Sequence, residues 1–312
     1  MIITVTLNTA LDVTYRVASL RPHTTHRVLD TAERPGGKGV NVARVLSALG
    51  HRTVVTGFAG GPTGDEVRRL LAAASPGGLL TDALVPTAGT TRRTVGVVDT
   101  GTGDTTMFNE PGPTVGPAEW DAFLGVYRAL LAAPDAAAVA LCGSLPPGLP
   151  VGTYAELVRE ARAAGVFVLL DTSGEPLRRG VAARPDLIKP NADELAGLTG
   201  FAEPARAARD ARRRGARAVA ASLGPEGMLA VTPDGTWQAR PPAALTGNPA
   251  GAGDSAVAGL LSALTEGLPW PHALTRAVAL SAATILAPTA GEFDPTTYAK
   301  LLPTLHATPL PP

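Results

Sequence analysis

The chain has 312 residues, 45% hydrophobic and 17% charged, with 27 basic and 27 acidic side chains and a formal net charge of zero. That length holds one large α/β domain or two small ones, and the balanced charge provides no overall field to attract a nucleic acid or a membrane, so any anion site must be local. Cys142 is the single cysteine, which excludes an intramolecular disulfide and suits a reducing cytoplasm.

The opening residues carry no basic segment leading into a long apolar run, so no secretory signal is expected, and no apolar stretch reaches the length of a membrane span. Residues 2–7 are β-branched and alternating, which predicts a first strand ending at Asn8. Val42, Val45, Leu46 and Leu49 recur at helical spacing, with Gly50 as the stop. Residues 53–58 read as a short apolar strand, after which Gly60, Gly61 and Gly64 lead into a second helix. Strand-like runs over 93–99 and 104–109 flank Thr100-Gly101-Thr102-Gly103 and predict a hairpin. From Glu119 onward helices (120–131, 154–164, 205–214) alternate with strands (138–142, 166–171, 187–189, 218–223). Such alternation predicts a mostly parallel sheet covered by helices. Helices over 252–264, 272–287 and 296–302 follow, and the tail 307–312 is expected to fray. The polar segments 11–35 and 88–110 interrupt this rhythm with strand-like pieces, and together they predict a small β lid over the ligand edge of the sheet. No repeat or linker divides the chain, so 1–312 is read as one domain.

Basic residues are nearly all arginine; the lysines are Lys38, Lys189 and Lys300. Lys38 and Lys189 both stand beside Gly, Pro or Asn clusters, where a compact ammonium suits phosphate oxygens better than a wide guanidinium.

The sharpest motif is Asn248-Pro249-Ala250-Gly251-Ala252-Gly253-Asp254-Ser255, which opens a helix. Glycines at a helix N-terminus let backbone N–H groups point at an anion, with the macrodipole adding to the attraction. Asp254 would accept a proton from an attacking hydroxyl while the amides of Gly251, Ala252 and Gly253 stabilise a transferring phosphoryl. The same residues also read as a turn glycine followed by a capping aspartate. Gly251-x-Gly253-x-x-Ala256 matches a loose dinucleotide fingerprint, but it lies far from the first strand and helix follows helix, so that reading fails on context. No Gly-x-x-x-x-Gly-Lys-Ser/Thr loop is present.

Pro35-Gly36-Gly37-Lys38-Gly39-Val40-Asn41 also precedes a helix; its glycines permit close backbone approach, Lys38 supplies charge and Asn41 a two-sided amide for hydroxyls. In Lys189-Pro190-Asn191-Ala192-Asp193-Glu194, Asn191 and Glu194 share a helical face and could organise Mg²⁺ through water; Asn-x-x-Glu is equally a capping box. Ser222-Leu223-Gly224-Pro225-Glu226-Gly227 follows a strand and reads as a phosphate cradle or a plain turn. Gly143-Ser144 and Asp171-Thr172-Ser173-Gly174 close strands on the ligand-binding edge. Arg27, Arg92 and Arg93 lie in the lid, where guanidinium forks would meet an anionic ligand. The histidines show no metal-ligand spacing.

Taken in this order, the segments resemble the ribokinase-like (PfkB) sugar kinases, over a span from Thr6 to Gly291. The branch containing 1-phosphofructokinase and tagatose-6-phosphate kinase is the most similar, through Leu7-Asn8-x-Ala10-Leu11-Asp12, Pro35 to Asn41, Thr91-Arg92, Asn109 to Pro113, Gly143 to Gly148, Asp171 to Gly174, Lys189 to Asn191 and Gly251 to Asp254. The resemblance implies a three-layer α/β/α sandwich with a β lid, and a homodimer formed through that lid. It implies that Asp12, Gly37, Lys38, Asn41 and Ser144 hold the sugar, and that Arg92 holds its phosphate with Arg27 assisting across a dimer formed by the lids. Lys189, Asn191, Ser222, Gly224 and Gly227 would line the ATP site, Asn191 and Glu194 would organise Mg²⁺, and Asp254 would be the base beside the Gly251–Gly253 anion hole.

Departures from the family pattern are Thr9 for a usual Pro, Thr94 for Asn, Cys142 for Ser, and Asn248-Pro249, which is familiar from tagatose-6-phosphate kinases. Met107 stands where the minor 6-phosphofructokinases carry a second phosphate-binding Arg, which argues against fructose 6-phosphate. The expected function is therefore cytoplasmic, ATP- and Mg²⁺-dependent phosphorylation of a ketohexose phosphate, fructose 1-phosphate first and tagatose 6-phosphate second. A sugar-phosphate sensor without catalysis is the reading from a different class, and retention of Asp254 with its glycines speaks against it.

Overall fold

The computed structural model describes residues 1–75, 77–242, 247–287 and 292–311. Gly291, where the sequence resemblance ends, lies outside the described residues, as does Pro312.

Among them a large sheet is built from β1 (Ile2–Thr6), β4 (Thr53–Ala59), β5 (Leu80–Pro86), β8 (Ala138–Cys142), β9 (Phe167–Asp171), β10 (Leu187–Ile188), β11 (Ala218–Ser222), β12 (Met228–Val231), β13 (Thr236–Ala239) and β14 (Ala307–Leu310). Its spatial order is β14-β13-β12-β11-β10-β9-β8-β1-β4-β5. The run from β5 to β11 is parallel, whereas β12, β13 and β14 add antiparallel at one edge. The central strands are apolar from end to end, as in Ala138-Val139-Ala140-Leu141-Cys142 with every residue buried, because a parallel sheet is covered on both faces.

Side chains alternate between those faces. Ile3 and Val5 of β1 join a core with α3 (Pro117–Leu131), α4 (Thr153–Ala163), α5 (Gly174–Ala182), α6 (Ala192–Thr199) and α7 (Pro204–Arg214). Ile2 of the same strand faces α1 (Lys38–Ala48), α8 (Ala252–Thr265) and α9 (Trp270–Ile285). The chain therefore forms three layers, helices on either side of one sheet, as expected. The α8–α9 contact depends on small residues: a Cβ on Gly259 would lie 2.7 Å from the Ala277 Cα. The remaining helices are α2 (Gly61–Ala73), beside β4 and β5, and α10 (Pro295–Leu301), beside α9.

A second sheet has the order β3-β2-β6-β7, from β2 (Ala10–Val17), β3 (Asp30–Gly36), β6 (Arg92–Asp99) and β7 (Thr105–Asn109). The predicted hairpin is the β6–β7 pair, while β2 and β6 run parallel, so two distant chain segments share this lid. Leu11 and Val13 of β2 pack with Val40 and Ala43 of α1 and with Val67 and Leu71 of α2, which seats the lid on the main sheet. No described helix is long and apolar enough to cross a membrane.

The expectation that the tail frays is wrong for residues 307–310. They form β14, antiparallel to β13, with Pro309 opposite Trp237. The unpaired backbone edge of β13 gives this polar, Pro-containing segment partners that its own sequence does not advertise, and an edge strand tolerates proline.

Candidate active site

Polar side chains converge where the carboxyl ends of β1, β8 and β9 meet the lid. Gly37, with φ 100°, caps α1; no L side chain fits there readily, and a Cβ would also come within 2.6 Å of Thr6. The turn aims Lys38, the first helical residue, at β9, where its Nζ lies 3.3 Å from Asp171 Oδ1. One turn later Asn41 donates through Nδ2 to Asp254 Oδ2 at 2.9 Å. From the lid, Asp12 occupies space that only a glycine at 36 leaves open, since a Cβ there would approach its Cγ to 2.2 Å.

Arg92 enters from β6. Its Nε donates to the Asn8 carbonyl at 3.1 Å and its Nη1 to Thr94 Oγ1 at 3.2 Å and the Glu110 carbonyl at 3.3 Å. Nη2 has no protein acceptor among these bonds. Asn8 in turn donates to the Pro111 carbonyl and to Ser144 Oγ, both at 3.1 Å. These residues surround a cleft of about 300 Å³ that also reaches Asp254.

Its wall is under-satisfied. Thr6 Oγ1, Asn8 Oδ1, Asn41 Oδ1 and, just behind, Asp171 Oδ2 are buried oxygens without a hydrogen-bond partner. Buried acceptors are normally paired, so this cluster fits a ligand rich in hydroxyl donors.

Both acids of the cleft are shifted upward. Burial raises Asp254 to about 6; Asp171 pushes the same way, while Lys38, the Asn41 hydrogen bond and Lys189 oppose it. Burial also raises Asp12 to about 6, against Arg92, Thr94 and Arg44. Burial works to lower the Lys38 value, but Asp171, Asp254, Glu194 and Cys142 outweigh it and move it above the usual lysine range. At neutral pH Asp254 is a carboxylate with raised basicity, suited to taking a hydroxyl proton.

The N-terminus of α8 divides this cleft from a second one. Gly251 caps the helix with φ 82°, and the N–H groups of Gly253 and Asp254 have no backbone acceptor, leaving them directed at an incoming anion. Asp254 lines the first cleft, whereas Ala252 and Gly253 line the second, of about 370 Å³, together with Ser222, Gly224, Gly227 and apolar groups of α9. Lys189 is 5% exposed beneath this junction; a Cβ on Gly253 would stand 3.5 Å from its Nζ.

Three expected site residues stand apart. Asn191 is exposed at the N-cap of α6 rather than in the cleft wall; its Oδ1 accepts from the Glu194 N–H at 2.8 Å, and Glu194 Oε2 accepts from the Asn191 N–H at 2.9 Å. The capping box is thus formed, and Glu194 Oε1 takes no part in it. Arg27 is exposed between β2 and β3 and does not line the cleft.

The sequence named Asn8, Thr94 and Asp171 without giving them a role in the site: Asn8 and Asp171 each end a strand at the ligand edge, and Asn8 and Thr94 line the cleft while Asp171 stands just behind it. The register that sets Thr94 opposite Asp12 is visible only in the fold.

Comparison with known proteins identifies the family and fold. The family model described as pfkB family carbohydrate kinase matches residues 4–297. A 1-phosphofructokinase of Rhodobacter capsulatus is 41% identical over 285 residues, covering 90% of this chain and 89% of that protein. The tetrameric inhibited form of phosphofructokinase-2 from Escherichia coli superposes with a TM-score of 0.88 at 29% identity, covering 97% of this chain and 98% of that one. A possible 1-phosphofructokinase from Thermotoga maritima gives 0.86 at 27% identity with full coverage of both, 100% each.

Proposed function

The chain belongs to the pfkB family of carbohydrate kinases, and from that premise we propose that it transfers the γ-phosphoryl of ATP to the 6-hydroxyl of fructose 1-phosphate, yielding fructose 1,6-bisphosphate. The observation that carries this reading is the first turn of α8, a wall shared by a polar cleft and a largely apolar one, with Asp254 on one side and Gly253 on the other. In-line transfer needs the attacking hydroxyl and the leaving oxygen on opposite sides of the moving phosphoryl, and a helix start bordering both clefts would hold that phosphoryl between them.

Asp254 takes the proton of the attacking hydroxyl while Asn41 holds its carboxylate in place. The unpaired oxygens of Asn8, Asn41 and Thr6 accept from sugar hydroxyls, as does Asp12. Arg92 and Lys38 meet the phosphate that the acceptor already carries. The free N–H groups of Gly253 and Asp254, with Lys189, meet the charge on the moving phosphoryl. Ser222, Gly224 and Gly227 border the nucleotide.

Magnesium fits the donor set at the edge of this site. Glu194 Oε1 is a hard oxygen left over by the cap, on a residue close enough to influence Lys38; it and Asn191 would hold the ion through water, where the ion neutralises phosphate charge. Placement in the cytoplasm agrees with an ATP-dependent enzyme carrying one buried, reduced cysteine.

A homodimer through the lid is also part of this reading. Val28, Leu29, Met107 and Phe108 are exposed apolar side chains of the lid region, and Arg27, which misses its own cleft, would reach an acceptor phosphate only from a second copy.

The test is turnover with ATP and Mg²⁺ against fructose 1-phosphate, tagatose 6-phosphate, fructose 6-phosphate and fructose. The highest kcat/KM is expected with fructose 1-phosphate, falling as the pH drops below about 6 because Asp254 and Asp12 then gain protons. Asp254→Asn should lower kcat by roughly 10²–10⁴. A preference for tagatose 6-phosphate, to which Asn248-Pro249 is the pointer, would change the acceptor. Absence of turnover with every ketohexose phosphate would overturn the reading.

A further inference from the structure

Asp171 ends β9 with its side chain 1% exposed, and the reaction as described above assigns it no task. Its Oδ1 faces two ammonium groups, Lys38 Nζ at 3.3 Å and Lys189 Nζ at 3.7 Å. The two lysines come from different elements, the start of α1 and the end of β10, and they serve different clefts. Asp171 Oδ2 is buried with no partner at all.

This is a poor arrangement for stability alone. A buried carboxylate is costly unless its pairing is close and its remaining oxygen is satisfied. Here one oxygen is orphaned, and the ion pair to Lys189 is longer than a hydrogen bond. The orphan is tolerated because the carboxylate keeps two like charges together where phosphate charge must be met from both sides. Without it the ammonium groups, no farther apart than the two bridging distances combined, would repel one another and drift.

We propose that Asp171 is a positioning residue that ties Lys38 of the acceptor cleft to Lys189 beneath the α8 N-terminus, so that the acceptor phosphate and the transferring phosphoryl are gripped by one linked unit. Because the bridging contacts are loose, each ammonium can turn to a phosphate oxygen without leaving the carboxylate. Filling either cleft then orders the lysine of the other. The same carboxylate acts on the base: the charged or titratable groups acting on Asp254 are Lys38 from α1, Asp171 from β9 and Lys189 after β10, with the buried thiol of Cys142 from β8 beside them. Of the charges, Asp171 alone keeps Asp254 basic.

The kinetic half of the test rests on the kinase reading above. Asp171→Asn removes the charge while keeping the shape. It should raise KM for fructose 1-phosphate and for ATP together, each about tenfold, the value of one charge-assisted hydrogen bond. Lys38→Met should raise chiefly the first and Lys189→Met chiefly the second. The acid limb of kcat/KM should move to lower pH in Asp171→Asn, because the lost negative charge no longer raises Asp254; a merely structural role would leave that limb in place. Asp171→Glu should recover part of both effects. An Asp171→Asn enzyme with wild-type melting temperature, only one altered KM and an unmoved acid limb would overturn the proposal.

A second measurement needs no acceptor. The chain has three lysines, so ¹³C-lysine labelling gives few signals, assignable by Lys38→Arg and Lys189→Arg. In the wild-type protein the Lys38 ammonium should hold its proton above the pH at which an ordinary lysine loses it. Titration of Lys38 at the ordinary value would remove the bridge, even if Asp171→Asn failed to fold. If no ketohexose phosphate is turned over, the functional reading fails, and the titration of Lys38 compared between wild type and Asp171→Asn still tests the bridge: the raised value should fall in the variant, and an unchanged value would overturn it.

Discussion

Arg92 illustrates how one side chain is made ready for an anion. Three of its hydrogen bonds go to groups within the lid and the β1 end, Thr94 Oγ1 and the carbonyls of Asn8 and Glu110, so the fork is oriented before any ligand arrives. Burial lowers its pKa, against the pull of Asp12 and Glu110, and a desolvated guanidinium gains more from a phosphate than a solvated one does. Arg92→Ala should raise KM for the sugar phosphate by roughly ten- to a hundredfold, with KM for ATP nearly constant. Discrimination against free fructose should shrink as well, since the lost contact belongs only to the phosphorylated acceptor. Steady-state kinetics with both acceptors measures this; unchanged constants would mean that Arg92 serves only the lid. Its type and neighbours, Thr91-Arg92 at the start of a strand-like run, were legible in the sequence. Its orientation was not, because the bonds that fix it come from residues 8, 94 and 110, and the one to the Asn8 carbonyl exists only once β6 lies beside the start of β2.

At the scale of elements, the α6 N-terminus carries a cap and a proposed metal-organising role that spacing alone could not separate. Asn191 and Glu194 form the reciprocal cap, worth about 1 kcal/mol to such a helix, and the same pair is the candidate for organising Mg²⁺. Glu194→Gln distinguishes the two, because a glutamine oxygen can still accept from the Asn191 N–H while the charge is gone. The melting temperature should stay within a degree or two, and the Mg²⁺ concentration needed for half-maximal turnover should rise several-fold. Equal Mg²⁺ dependence in the variant would leave the pair as a cap only. Elements differ in how plainly their sequences announce them. The buried strand 138–142 and the helix opened by Gly251-Ala252-Gly253-Asp254 were read directly, since an apolar run and a glycine-to-aspartate helix start are local signals. β5, α5, β12, β13 and β14 were not, because their residues are ordinary outside the contacts that neighbours provide, as β13 does for Ala307–Leu310.

For the whole molecule, the lid is the part whose environment in this chain looks incomplete. β7 is exposed along its whole length at the edge of the small sheet, with Met107 48% and Phe108 57% exposed. An apolar open edge of that kind invites pairing with another chain. Phe108→Asp should convert a dimer to a monomer in sedimentation equilibrium and raise KM for the acceptor, since Arg27 would then be lost from the partner cleft. A wild-type protein that is monomeric at micromolar concentration would refute lid pairing. The sequence by itself determined the mostly parallel α/β plan, the glycine-rich helix starts and the strand-like pieces of a lid, because each rests on periodicity or on turns confined to a few adjacent residues; the kinase reading, with Asp254 as the proposed base, came from the resemblance that those motifs carry when taken together in order. Only the tertiary structure decided that Asp12 fits because residue 36 is glycine, that Asp171 stands between Lys38 and Lys189, that Arg27 lies outside its own cleft, and that the tail completes the sheet. Those outcomes depend on side chains separated by tens to hundreds of residues meeting across strands and helices, and no local pattern encodes such a meeting.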